Sequence, residues 1–289
     1  PEEDQCYYLD NLSIIAGNTG KNKEKQLEIR SSFLNGCVKG NYSYRTLPAS
    51  ILKTLQRYIP SLLALNKELP ETNNDFQFHF QLDNTELFSK VFNIPVELGM
   101  PATLNGYFDD RRTRLQIQGY LPEFIYNDSY FESGTFLCSN TADELECQLR
   151  INKRMKKGET ISLAINSRVA EDKLKTTIHW GNNVPSTFSG VVETVASFRK
   201  SEEKNRLLTS IDIRPSKIIL NDTIWKIHPS KITIDKDLIE INNFLFEHQN
   251  QYLRANGRIG KEQSDSCLVD LSNINLQYVM DIIQFHAVK

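Results

Sequence analysis

The sequence lacks long hydrophobic runs, CxxC pairs and an excess of either charge, and each absence excludes a class of protein. Its 289 residues include 34 basic and 36 acidic side chains, a balance that leaves no polycationic surface for nucleic acid. No run approaches eighteen apolar residues, and no signal peptide opens the chain. Because the first residue is Pro1 and not methionine, we expect the chain to be a segment of a longer protein.

Reactive and metal-binding side chains are also sparse. The cysteines are odd in number and without CxxC spacing, so we predict neither a zinc site nor a disulfide framework, and we interpret them as small buried or incidental residues. They are Cys6, Cys37, Cys138, Cys147 and Cys267. The acidic pairs Asp109–Asp110 and Asp143–Glu144 fall in or beside predicted turns, where solvation explains them. With no GxSxG or cysteine-histidine signature, we expect no enzyme, no metal and no cofactor.

Alternation of apolar and polar residues is the main structural signal. Residues 75–82 alternate without a slip, which indicates a strand with one apolar face. The same period of two recurs in Leu27/Ile29, Leu115/Ile117, Leu145/Cys147/Leu149/Ile151, Ile161/Leu163/Ile165, Ile178/Trp180, Ile211/Ile213, Trp225/Ile227, Ile232/Ile234, Ile239/Ile241 and Phe244/Phe246. Turn residues separate these segments, and we interpret Gly17–Gly20 as one such turn. Glycines late in several strands indicate bends in a sharply coiled sheet.

One short phrase occurs twice at an interval of fourteen residues. It reads Pro215-Ser216-Lys217 and then Pro229-Ser230-Lys231. Proline is tolerated where a strand begins, because it has no N–H to give to a sheet. We therefore predict that each phrase starts one antiparallel strand, with Asn221–Asp222 turning the chain between them.

Three segments follow a helical period instead, near residues 48–59, 85–93 and 275–284. In the first, one face carries Ile51, Leu52, Leu55, Tyr58 and Ile59. Pro48 lies in the first turn, and Pro60 is expected to end the helix. We interpret these helices as lids laid on the apolar side of the sheet.

Two β architectures are compatible with these strands. A β-sandwich would press two apolar faces together, whereas a single curled sheet would line an open groove. The low hydrophobic content of 39% and the unbroken meander favour the single sheet, but the pattern alone leaves both open.

The C-terminal part of the chain carries four phrases in a fixed order: Ser230–Ile234, Ile241–Phe246, Gln251–Gly257 and Leu271–Leu276. Trp225 followed by His228-Pro229-Ser230 fits the same pattern. In this order the phrases resemble the TamB family, which supplies the inner-membrane-anchored subunit of the translocation and assembly module. That family is related to AsmA-like and bridge-like lipid transfer proteins, and the resemblance is best over residues 205–289.

This resemblance implies a fold and a location. The fold is mainly β: one continuous elongated segment over residues 1–289, in which a curled antiparallel sheet forms an open hydrophobic groove (a β-taco) with a few short amphipathic helices. The location is the periplasm of a bacterium with two membranes, with the inner-membrane anchor outside this segment.

The resemblance also implies transport of phospholipids to the outer membrane and outer-membrane biogenesis, with acyl chains as the partner and no catalytic residue. Exposing about thirty acyl methylenes to water would cost on the order of 20 kcal/mol, so an unspecific apolar wall suffices. We expect the wall to include Phe76, Phe78, Phe80, Leu82, Leu115, Ile117, Ile161, Leu163, Ile165, Ile178, Trp180, Ile211, Ile213, Trp225 and Ile227. The alternatives are a scaffold for outer-membrane protein assembly and secretion with an outer-membrane β-barrel partner, or a closed β-sandwich binding module.

Overall fold

The computed structural model describes residues 11–19, 24–63, 69–85, 89, 95–155, 158–182, 188–201, 206–220 and 222–274. Two helices are present in these ranges, α1 (Leu47–Gln56) and α2 (Pro60–Leu63). The strands are β1 (Ser13–Thr19), β2 (Glu24–Arg30), β3 (Leu34–Asn41), β4 (Asp75–Leu82), β5 (Val96–Leu98), β6 (Ala102–Asp109), β7 (Arg114–Tyr126), β8 (Ser129–Asn140), β9 (Leu145–Arg154), β10 (Thr160–Ala170), β11 (Lys173–Asn182), β12 (Phe188–Ser201), β13 (Arg206–Ile213), β14 (Ser216–Leu220), β15 (Thr223–Ile227), β16 (Ser230–Asp235), β17 (Leu238–His248), β18 (Gln251–Ile259) and β19 (Cys267–Ser272).

All nineteen strands belong to one antiparallel sheet that follows the chain as a meander. At three positions in the sheet, two consecutive short strands pair with different parts of the same long strand. These are β5 and β6 with β7, β13 and β14 with β12, and β15 and β16 with β17. At about 4.8 Å per strand, the resulting sixteen positions extend over about 70 Å along the sheet.

The prediction of a mainly β chain built from one long, curled antiparallel sheet is confirmed. Within the described ranges, strands pack only against their neighbours in the sheet, and no second sheet lies on either face. The closed β-sandwich alternative is therefore wrong for this part of the chain. Only twelve of the hydrophobic side chains described are buried, because one layer has no opposing layer to cover it.

A proline interrupts the sheet at each of the three positions where two short strands pair with one long strand. Pro101 precedes β6, Pro215 precedes β14 and Pro229 precedes β16. A proline cannot donate to the ladder, so pairing stops there and the strand can change direction. These interruptions turn long strands into bent ones.

The repeated phrase marks one such bend. Each copy starts a strand as predicted, since β14 begins at Ser216 and β16 at Ser230. Ile213 pairs with Ser230, and Ser216 pairs with Ile227, so the two prolines lie at the same level of two adjacent strands. The bend continues into β17, where the register shifts between Ile241 and Phe244.

A second bend crosses β7 and β8. Pro122 lies within β7, and the neighbouring Gly99 donates its N–H to the carbonyl oxygen of Glu123 (3.0 Å). On β8, Ser133 has a φ of 55°, and the register toward β9 shifts between Glu132 and Thr135. Bulges of this kind increase the local twist and bend the strand, which explains the curl of the sheet.

The pairing register sorts the side chains onto two faces, because directly paired residues point the same way. We call one of them the apolar face. One of its rows crosses eleven strands without a polar side chain: Ile14, Ile29, Gly36, Phe80, Leu104, Gly119, Phe136, Leu149, Ile165, Ile178 and Val192. A neighbouring row on the polar face reads Lys39, Gln77, Tyr107, Gln116, Ser139, Glu146, Arg168, Lys175, Val195, Asp212 and Lys231.

Three local predictions need correction or fall outside the described residues. The helix predicted near 48–59 is found as α1, but Pro60 begins α2, where a proline is compatible with the first helical turn. Gly17 is a strand residue paired with Gln26, and β1 continues to Thr19, so the turn does not begin at Gly17. The predicted helix near 85–93 lies largely outside the described residues, and the one near 275–284 lies wholly outside them.

Candidate functional site: the apolar face and its strap

The sheet places all fifteen predicted wall residues on the apolar face. Fourteen of them are half-buried, and Trp225 is buried at 4% exposure. The polar face alternates with them: along β4, Gln77 and His79 are exposed whereas Phe76 and Phe78 are half-buried. Sequence periodicity thus identified the members of this face, although it could not say which strands are neighbours.

Three rings on the apolar face lie across a glycine of the adjacent strand. They pair as Phe80 with Gly36, Phe78 with Gly106, and Trp180 with Gly190. A Cβ added at Gly36 would lie 2.6 Å from Cε1 of Phe80, and one added at Gly190 would lie 2.6 Å from Cη2 of Trp180. These glycines were predicted to mark bends, but here they make room for rings that lie over them.

Ring contacts connect the apolar face along and across strands. Phe76 touches Phe108 of the next strand at 5.6 Å between ring centroids and Phe78 of its own strand at 6.3 Å. Trp225 of β15 stacks on Phe246 of β17 at 4.7 Å. Aromatic contacts of this kind contribute about 0.5–1.5 kcal/mol beyond the area that they bury. They hold the wall together without a second layer.

Residues 43–63, which include α1 and α2, form what we call the strap. Tyr58 is fully buried and Ile59 nearly so, and both pack on the apolar face against Cys138 and Leu145. Leu55 packs against the same cluster, but Ile51 (46% exposed) and Leu52 (38% exposed) do not, so the prediction is wrong for these two members of the helical face. The prediction that the first helix lies on the apolar side of the sheet is thereby confirmed.

Polar contacts fasten the strap to three hairpin turns. At the β6–β7 turn, the carboxylate of Asp110 accepts a hydrogen bond from Ser50 Oγ (2.7 Å). At the β8–β9 turn, Tyr58 Oη donates to the carbonyl oxygen of Thr141 (2.8 Å). At the β10–β11 turn, the carboxylate of Asp172 accepts from the backbone N–H of Ser61 (2.8 Å) and from its Oγ (2.9 Å).

These three turns lie on the same side of the sheet, at one end of its strands, and we call this side the strap rim. The turns after β7 and β9 lie at the other end of the strands, and we call that side the free rim. The interpretation of Asp109–Asp110 as solvated turn residues is wrong. Asp109 is 3% exposed and accepts hydrogen bonds from the backbone N–H groups of Arg111 and Arg112, and Asp110 also accepts one from the N–H of Asn74 (2.9 Å).

A disulfide joins Cys138 of β8 to Cys147 of β9 beneath Tyr58. This contradicts the expectation of incidental cysteines. The two residues are paired directly across the hairpin. They are nine positions apart in sequence, so a search for CxxC spacing does not find them. Their equal distance from the turn at Thr141–Glu144, combined with alternation, is the signal that could have found them.

Charged side chains lie mostly on the polar face, where they pair with each other. Arg168 Nε lies 3.2 Å from Glu146 Oε1, and Arg154 Nη2 lies 2.8 Å from Glu132 Oε2. Lys153 is an exception, because its register places it on the apolar face. Burial lowers the pKa of this lysine.

A shallow depression lies on the polar face of β3, β4, β6 and β7. Its lining includes Lys39, Gln77, His79, Asn105 and Gln118. His79 Nδ1 contacts Asn105 Oδ1 there. Over the described ranges no group of histidine, cysteine and acidic side chains could hold a metal ion, and none of the helices found in them is long and apolar enough to cross a membrane.

Comparison of the chain with protein families, with curated proteins and with solved structures finds no match.

Proposed function

We propose that the apolar face is a surface along which the acyl chains of phospholipids move between membranes. In this proposal the chain is a non-enzymatic segment of a TamB-like protein that spans the periplasm, anchored in the inner membrane and serving outer-membrane biogenesis. The resemblance in the C-terminal sequence suggests the family, and the shape and chemistry of the sheet support the role.

The observation that carries the proposal is the row from Ile14 to Val192, which crosses eleven strands on one face without a polar side chain. The strap covers only part of this face, and no second sheet covers it within the described ranges; exposed apolar surface of this extent marks a binding site. Its members differ in shape, so the surface suits a fluid hydrocarbon chain better than one rigid ligand.

The energetics support the same role. A phospholipid that left a bilayer without a protein would expose about thirty methylenes at about 0.8 kcal/mol each. A protein surface that keeps the acyl chains out of water at every position lowers the free-energy barrier to leaving the bilayer. Such a surface does not need to bind a lipid more tightly than a bilayer does. Rings that lie over Gly36, Gly106 and Gly190 contribute apolar surface to this face.

The test is the amount of lipid that copurifies with the protein and two variants. Leu163→Asp places a charge on the apolar face in the middle of β10, and Ser162→Asp places the same charge on the next residue, which is exposed on the polar face. We expect lipid extraction and mass spectrometry to find phospholipid with the wild type and Ser162→Asp, and several-fold less with Leu163→Asp. Equal lipid in all three, or none in the wild type, would contradict the proposal.

A second candidate, a scaffold that adds unfolded outer-membrane strands to its edge, is favoured by one observation. Among the described residues β1 pairs only with β2, and β19 only with β18, so each leaves a row of backbone groups unpaired. On β19, Leu268 is 69% exposed and Val269 is 57% exposed. Such edges can accept a further strand. A scaffold of this type would bind a strand-forming peptide and would copurify with no lipid.

A further inference from the structure

Lys153 is one of the few charged residues that the register places on the apolar face. It lies near the end of β9 at the free rim, paired with Phe131 of β8 on one side and with Ile161 of β10 on the other. Its Nζ is 5.9 Å from the centroid of the Phe131 ring, which in turn stacks on Phe124 at 5.0 Å. The ammonium group therefore stands at the edge of a hydrophobic surface.

No carboxylate among the described residues forms an ion pair with Lys153. Its neighbour in sequence, Arg154, is on the polar face and pairs with Glu132. Lys25, another lysine of the apolar face, donates to the carbonyl oxygen of Tyr42 at 2.7 Å. Burial without a compensating anion lowers the pKa of Lys153, so the site favours an added negative charge.

The sequence around Lys153 is the most basic in the chain. Arg150, Lys153, Arg154, Lys156 and Lys157 fall within eight residues. A basic run of this kind attracts anions through its summed field. Because Lys153 alone among the described members of this run lies on the apolar face, it stands where an anion attached to a hydrocarbon chain would arrive.

We propose that Lys153 binds the phosphate of a phospholipid whose acyl chains lie on the apolar face and point toward the strap. This inference rests on the proposed function and adds to it a defined orientation, with headgroups at the free rim and chain ends directed toward the strap. It also assigns the phosphate, which all phospholipids share, as the recognised group.

The dimensions of β9 fit this orientation. From Lys153 to Leu145, which packs under the strap, there are eight residues, or about 26 Å at about 3.3 Å per residue. One leaflet of a bilayer core is about 15 Å deep. Ile151 and Leu149 lie on the same face between the two ends. A chain that starts at the lysine and points toward the strap can therefore lie on apolar surface over its whole length and end before it reaches Leu145.

The experiment compares two lipids with the same chains, dioleoyl phosphatidylglycerol and dioleoylglycerol, in binding to the purified chain. The variants are Lys153→Gln, Lys153→Arg and the control Lys175→Gln, which removes an exposed lysine of the polar face. Loss of a charge-assisted contact should weaken binding of phosphatidylglycerol about tenfold in Lys153→Gln. Binding of dioleoylglycerol should not change, Lys153→Arg should retain affinity, and Lys175→Gln should behave as the wild type.

The outcomes separate this inference from the proposed function. If the wild type binds neither lipid, the proposed function fails and the inference fails with it. If it binds both and Lys153→Gln changes neither, the face binds lipid but the phosphate site is wrong. Inorganic phosphate is the third probe, and binding of phosphate alone as tightly as phosphatidylglycerol would also overturn the inference, because the site would then be one for a free anion.

Discussion

Trp180 of β11 lies across Gly190 of β12, on the apolar face of the sheet. The two residues are directly paired, and a Cβ at position 190 would lie 2.6 Å from Cη2 of the ring and 2.8 Å from Cε2. The absence of a Cβ at position 190 therefore leaves the space that the ring occupies. This arrangement lets a large side chain contribute apolar surface without projecting from the wall.

The first prediction concerns this contact between Trp180 and Gly190. Gly190→Ala should push the Trp180 ring off the sheet and destabilise the protein by about 1–3 kcal/mol, as overpacking commonly does. The control is Gly181→Ala, whose Cβ would meet Ser189 Cβ at an ordinary 3.4 Å. It should be neutral or slightly stabilising. Denaturant unfolding with tryptophan fluorescence measures both, and equal effects would show that the ring does not need the glycine.

The second prediction concerns the strap. Tyr58→Phe removes the hydroxyl that donates to Thr141 and accepts from Asn140 Nδ2, so it should cost about 1 kcal/mol. Tyr58→Ala also removes the buried ring and should cost about 3–5 kcal/mol. Tyr44→Phe is the control, because Tyr44 is 63% exposed. Hydrogen exchange should show faster exchange of α1 in the alanine variant, and unchanged protection would mean that the ring does not hold the strap.

The third prediction concerns the disulfide under the strap. The double variant Cys138→Ala and Cys147→Ala should lose about 3 kcal/mol of stability, as expected for a closed loop of about ten residues. Cys267→Ala, at a free cysteine, should lose little. Adding a reductant should destabilise the wild type but not the double variant. Thiol-labelling mass spectrometry on unreduced protein should find Cys138 and Cys147 unlabelled. Labelling of both cysteines would contradict the disulfide.

The fourth prediction concerns pH. Burial lowers the pKa of Lys153 below its ordinary value of 10.5, so in the interval between the two values the unfolded chain binds more protons than the folded one. The free energy of unfolding therefore increases with pH through that interval. Below the interval, the buried charge of Lys153 lowers the free energy of unfolding. Lys153→Gln should have a higher Tm than the wild type at pH 7, and the difference should shrink as pH approaches 10.5. A difference independent of pH would point to packing instead.

The faces of the sheet followed from the sequence because a strand has a period of two. This is why Phe76 to Leu82 and Ile161 to Ile165 could be assigned to one side before their neighbours were known. The bends could not be assigned in the same way. Pro215 and Pro229 are fourteen residues apart in sequence, and only the pairing of Ile213 with Ser230 shows that they share one level.

The strap shows a second limit of sequence reasoning. Amphipathic spacing identified Leu55, Tyr58 and Ile59 as packing residues but wrongly included Ile51 and Leu52. The place where the strap packs depends on contacts distant in sequence. Tyr58 bonds to Thr141, 83 positions away, and Ser61 to Asp172, 111 positions away. Local patterns contain no information on such pairs. The same reason explains why Asp110 was interpreted as a solvated turn residue.

The central claim, that one face of the sheet carries lipid, is tested most directly by a photo-crosslinking scan along β10. A photoreactive amino acid is placed in turn at positions 161 to 166 in cells, and lipid adducts are measured by mass spectrometry. The account predicts adducts at Ile161, Leu163 and Ile165, and few or none at Ser162, Ala164 and Asn166. Adducts without this alternation, or no lipid adduct at any of the six positions, would contradict it.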